Sequence, residues 1–157
     1  MIVTDQVDMV KKHVDVNGVL TEPVTLKAGS YELPFLTRFK NLVLEDDTEV
    51  SMLNLIDNMG DLNVGVNCKL AGLVKVETLD GLRANNGLTV SGLSSLQEFG
   101  RPVLATNCSF SWVENLVAID FDAVMWPKKS VLYGLPDELE ERIPQWLSDS
   151  KRLTIKR

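Results

Sequence analysis

The chain has 157 residues, enough for about one domain with a sizeable core. Charged residues make up 24% and the net charge is −6, which argues against wholesale disorder and against direct nucleic-acid binding, since contact with phosphates requires a basic surface. No apolar run approaches the roughly 18 residues that span a bilayer, and Met1 to Val10 lacks the basic start and apolar core of a secretory signal, so no membrane contact and a cytoplasmic location are expected.

Residues 4–14 are expected to form a short helix capped by Thr4, with Val3, Val7, Val10 and Val14 at helical spacing. Such a helix would serve as an end cap. Asn17-Gly18 is a turn signal between short apolar runs, and Val16, Val19 and Val24 already fall in the register of the later residues. The first 32 residues are therefore assigned to an N-terminal cap and a degenerate first repeat of a single domain, 1–157.

From residue 33 to 126 an apolar residue returns every third position, and the whole pattern repeats after 20 residues. Leu53, Ile56, Met59, Leu62, Val64, the polar Asn67 and Leu70 are followed by Leu73, Val76, Leu79, Leu82, Ala84, Gly87 and Val90. In five units 27 of 30 core slots are apolar, whereas the overall apolar fraction of 45% would fill about half, so the pattern is a repeat and not chance. Within each unit the period-2 segment, Leu42-x-Leu44 or Leu62-x-Val64, is the expected strand. The three-residue spacing elsewhere suits short extended or 3₁₀-like turns. After Trp126 the periodicity stops. Pro136 and the acids behind it begin a helix that Pro144 interrupts, and Arg152 to Lys156 alternates like one last strand, so 127–157 is assigned to a C-terminal cap. The fold class expected is a repeat solenoid, mainly β, with helical caps.

Met59-x-x-Leu62-x-Val64-x-x-Asn67 resembles the leucine-rich repeat signature, L-x-x-L-x-L-x-x-N. Phe39-x-x-Leu42-x-Leu44-x-x-Asp47 follows it with aspartate, Leu79-x-x-Leu82-x-Ala84-x-x-Gly87 with glycine, and Phe99-x-x-Pro102-x-Leu104-x-x-Asn107 with proline at one core slot. The resemblance implies that the asparagine bonds to the backbone at the turn after the strand, and that stacked copies form a ladder. The sequence departs from the family in placing the next apolar residue three after the asparagine instead of two. A right-handed parallel β-helix is the alternative.

Few residues suggest chemistry. His13 stands alone outside the repeats, and neither cysteine has metal-ligand neighbours. Cys68 and Cys108 are two repeats apart, so with about 4.8 Å per coil their backbones lie roughly 10 Å apart, beyond the reach of a disulfide. Two reduced, buried thiols are expected. Residues 81–87 lack the lysine of a phosphate loop, and the run Glu45, Asp46, Asp47 and Glu49 lacks the ligand spacing of a calcium loop. Asp120 and Asp122 share one side if they lie on a strand. No cofactor or metal is expected.

If the period-2 segments are strands, the residues between their apolar positions face outward as an array. From this array Asn63, Arg83, Asn85, Arg101, Phe121 and Met125 are the expected partner-binding residues, with aromatic, methionine and arginine side chains as anchors. The sequence thus points to a non-enzymatic protein-interaction module. One alternative is an acidic inhibitor or nucleic-acid mimic of a defence or DNA-binding enzyme, with Glu45, Asp46, Asp47, Asp57 and Asp61 on one ridge. Another is a β-helix enzyme using Asp120 and Asp122.

Overall fold

A computed structural model of the chain describes residues 4–157; Val3 and the side chain of Thr4, both assigned to the first helix and its cap, lie outside the described residues. Helix α1, Thr4–Lys12, carries Asp5 in its first turn and Lys11 and Lys12 in its last, as the helix dipole favours. Val10 is fully buried and Val7 packs against the core, so the valine stripe docks the helix on the first coil. The expected turn comes next: Gly18 has φ +78°, and the Asp15 carboxylate accepts the N–H groups of Asn17 and Val19 at 2.8 and 3.0 Å.

Ten short strands make up the body of the chain: β1 (Val24–Leu26), β2 (Gly29–Glu32), β3 (Leu42–Leu44), β4 (Thr48–Ser51), β5 (Asn63–Val64), β6 (Lys69–Leu70), β7 (Thr89–Val90), β8 (Ser109–Ser111), β9 (Ser130–Tyr133) and β10 (Leu153–Lys156). Helices α2 (Asp137–Glu140) and α3 (Gln145–Ser150) lie between the last two. All named strand pairs are parallel, and they form two sheets, β1-β3-β5 and the seven-stranded β10-β9-β8-β7-β6-β4-β2. Single parallel bridges, Thr78 to Glu98 and Glu98 to Ala118, mark a third side. The chain is a parallel β-solenoid.

One core fills its interior, with columns of stacked side chains. Tyr31, Val50, Leu70, Val90, Phe110 and Leu132 form one column behind the large sheet, all of them at most 1% exposed. Leu53, Leu73, Leu93 and Val113 form another, each completely buried. Three aromatic residues pack together toward the C-terminal end, where the Phe99 ring lies 5.6 Å edge-on to Phe110 and 5.3 Å from Trp126. Each such pairing adds about 0.5–1.5 kcal/mol beyond the area it buries.

The corners explain the polar slots. Asp47, Asn67, Gly87 and Asn107 have φ of 59°, 57°, 75° and 64°, so one left-handed residue recurs at the same corner of four successive coils. Asn41, Asp61 and Gly81 do the same at a second corner, and Met52, Gly72, Gly92 and Trp112 at a third. Asparagine, aspartate and glycine tolerate this conformation best. The asparagine ladder is not formed: Asn67 and Asn107 are exposed, and among the described residues neither makes a side-chain hydrogen bond. The slot selects a backbone conformation and not a side-chain acceptor.

Two further expectations are corrected. Among the described residues, the period-2 segments form a sheet only through the first three coils, and beyond it only Arg83 and Val103 are bridged. Pro102 in that segment has no N–H to give to a ladder. The continuous sheet lies instead on the side just past the left-handed slot. The 20-residue register also ends early: Thr89 pairs with Ser109, but Ser109 pairs with Val131, two residues later than the period requires. The extra length is absorbed in a turn in which Ala123 and Val124 donate to the Asp120 carbonyl at 3.2 and 3.3 Å. The final alternating segment does add a rung, as β10 beside β9.

Cys68 and Cys108 are buried free thiols, as expected. They belong to a column with Thr48, Leu88 and Ser130, all pointing inward just after the left-handed corner. Thr48 donates to the Glu45 carbonyl at 2.7 Å, Cys108 to Ala105 at 3.1 Å, Ser130 to Pro127 at 3.2 Å, and Cys68 to Glu45 of the previous coil at 3.2 Å. The column satisfies turn carbonyls that the sheets leave free. Burial pushes both thiols above their ordinary pKa.

Candidate partner-binding face

On the side of the coil that carries β3 and β5, inward residues are Leu42, Leu44, Leu62, Val64 and Leu82, and the residues between them point away from the core. Val43 sits beside Asn63, and Arg83 beside Val103. Asn63 and Arg83 are exposed, and Val103 is 60% exposed despite being apolar. The alternation expected from the sequence therefore holds along this face as far as Val103.

At its C-terminal end the face runs into an open groove of about 650 Å³, lined among others by Arg101, Val103, Met125, Trp146 and Arg152. Met125 is 87% exposed. Trp146, from α3, is held by its indole N–H, which donates to Asp122 at 2.9 Å. Arg152 donates to the Trp126 carbonyl at 3.2 Å, and the buried Trp126 indole donates to the Phe121 carbonyl at 3.0 Å. These bonds tie the cap segment to the last repeat and fix the walls of the groove.

The six expected residues separate. Arg101 and Met125 line the groove, and Arg83 adjoins it through Val103. Asn63 is exposed on β5 and does not line the groove. Asn85 is exposed but donates its side-chain amide to the Val64 carbonyl at 3.4 Å, bracing the corner. Phe121 is a correction: it is only 4% exposed, its ring 6.3 Å from that of Trp126. Strand alternation would place it outward, but the turn that begins at Asp120 rotates it into the core. Sequence reasoning missed Trp146 and Arg152 as groove residues, because they lie in the cap where no register assigns an orientation. The exposed Trp itself was the available signal.

The ion pairs among the described residues are His13 with Glu22, Arg38 with Asp57, and Arg157 with Asp137 and Glu140. Arg83, Arg101 and Arg152 are in none of them. Of the acidic residues, Asp57 pairs with Arg38, Asp46 accepts the Val66 N–H at 2.7 Å, and Asp47 and Asp61 stand at different corners. Asp120 and Asp122 do not share a strand. Asp120 accepts the N–H groups of Asp122 and Ala123, both at 3.1 Å, while Asp122 receives the Trp146 indole.

Coil period, parallel sheets and left-handed corners define the class, a parallel β-solenoid that presents a stacked outer face and a groove at one end. Comparison with protein-family models, curated proteins and solved structures gave no match to the chain.

Proposed function

We propose that the chain is a non-enzymatic protein-interaction module that binds a protein partner through this face and its terminal groove. The observation that carries the reading is the exposure of Val103 and Met125, at 60% and 87%, in a groove with arginines that have no ion-pair partner among the described residues. Apolar anchors with arginine are the composition of interface cores. The likeness to leucine-rich repeats belongs to this reading. It is supported by the 20-residue spacing and by presentation of residues 43, 63, 83 and 103 between inward-facing apolar positions.

The experiment is affinity capture from an extract of the native host, comparing the wild-type chain with Arg83→Glu/Arg101→Glu/Met125→Ala. Met125 is the apolar target because removing Phe121 would empty the core. The wild type should retain a partner that the variant loses, at an unchanged melting temperature. Retention of the same proteins by both would refute the reading.

A further inference from the structure

We infer that the groove takes an acidic peptide segment bearing one apolar or aromatic anchor, an assignment that rests on the interaction reading above. The chain as a whole carries −6, so a general electrostatic argument would predict basic partners. The groove reverses that expectation locally. Arg101 and Arg152 line it, and the exposed Lys128 and Lys129 come directly after Pro127 at its rim. The carboxylate in its lining, Asp122, already accepts the Trp146 indole N–H at 2.9 Å. The Arg101 backbone N–H donates to Asp80 at 2.8 Å, and its guanidinium is in no ion pair among the described residues, although Arg101 also lines a neighbouring pocket with Asp80, Glu98 and Asp120. In the same lining as the two arginines are Val103, Met125 and Trp146, exposed at 60%, 87% and 47%.

The arrangement has a definite chemical complement. An anchor side chain such as Leu, Phe or Trp covers the apolar floor, and methionine adapts its shape to the anchor. Flanking Asp or Glu side chains meet the guanidinium groups, which favour carboxylates through paired N–H donors. A basic peptide would place its charges against Arg101 and Arg152, and like-charge contact disfavours it.

The test is selection of peptides of about twelve residues from a random displayed library on the full chain. Fluorescence anisotropy then measures the enriched peptides against wild type, Arg101→Glu and Met125→Ser. Both substituted residues are exposed, and unchanged melting curves would show that the fold is retained. The expected outcome is enrichment of peptides with Asp or Glu on both sides of a large apolar residue. Their affinity should fall about tenfold in each variant, and fall further as salt is raised from about 50 to about 500 mM. Enrichment of basic or uncharged peptides, no enrichment, or equal affinity for the variants would overturn the assignment. The two readings fail separately. Uncharged or basic peptides together with a host partner that the face variant loses would overturn only the partner chemistry, whereas a host partner retained by that variant would overturn the interaction reading itself.

Discussion

Phe121 and Met125 stand four residues apart, and strand alternation would make both of them surface anchors; substituting each by alanine separates the two environments. Phe121 is 4% exposed and faces Trp126 at 6.3 Å, with the ring planes 33° apart. Truncating a buried phenylalanine costs about 3–5 kcal/mol, through lost transfer energy and the cavity that remains. For a chain of this size that corresponds to a fall in melting temperature of about 6–20 °C. Met125 is 87% exposed, so Met125→Ala should stay within about 0.5 kcal/mol of wild type. Urea denaturation followed by tryptophan fluorescence measures both, because Trp126 reports directly on the Phe121 site. The transition slope adds information. In a solenoid each coil contacts its neighbours only, so Phe121→Ala can release the C-terminal coils alone and lower the slope. A loss below about 1 kcal/mol for Phe121→Ala, or an equal loss for Met125→Ala, would refute the burial argument.

Three other outcomes are expected. Asn67→Gly should leave stability within about 0.5 kcal/mol, while Asn67→Val should cost about 1–2 kcal/mol, because the position selects a left-handed backbone and not a side-chain bond; chemical denaturation reads both, and equal losses would restore the ladder. Gly92→Ala should cost about 2–3 kcal/mol, since φ is +78° and an added Cβ would meet the Gly72 backbone nitrogen at 2.9 Å; a thermal melt equal to wild type would contradict the close coil contact. The buried thiols of Cys68 and Cys108 have raised pKa values in the folded chain. Their contribution is full below the ordinary thiol pKa of about 8.5 and is lost as pH rises past it. Urea midpoints should therefore fall between about pH 8 and pH 10, and fall less in Cys68→Ser/Cys108→Ser, whose hydroxyls can donate as Thr48 and Ser130 do.

The interior of this fold was legible because stacking places identical demands on successive coils. Leu53, Leu73 and Leu93 answer the same neighbours, so one period predicts all three. The corners were half legible: Asp47, Asn67, Gly87 and Asn107 share a torsion angle, and their side-chain chemistry alone suggests a hydrogen bond that is absent. The choice of strand side could not be read from spacing, because a two-residue period within a three-residue pattern says nothing about which segment has a free N–H for its neighbour. Pro102 was the local sign that this ladder fails. Arg101 and Met125 were legible as outward residues because they border the regular region. Phe121 was misplaced by the two residues added there, which turn the chain where alternation assumes it runs straight. Trp146 and Arg152 come from the cap and had no register to orient them.

The equal corners of the central coils have a consequence for size. Because β4, β6, β7 and β8 succeed one another at a constant step, residues 73–92 form a unit whose two cut ends face the same kind of neighbour. Deleting or duplicating that unit would change the length of the molecule by about 4.8 Å while leaving both caps intact. The solenoid thus acts as a ruler. It sets, in whole coils, how far the groove at one end stands from α1 at the other.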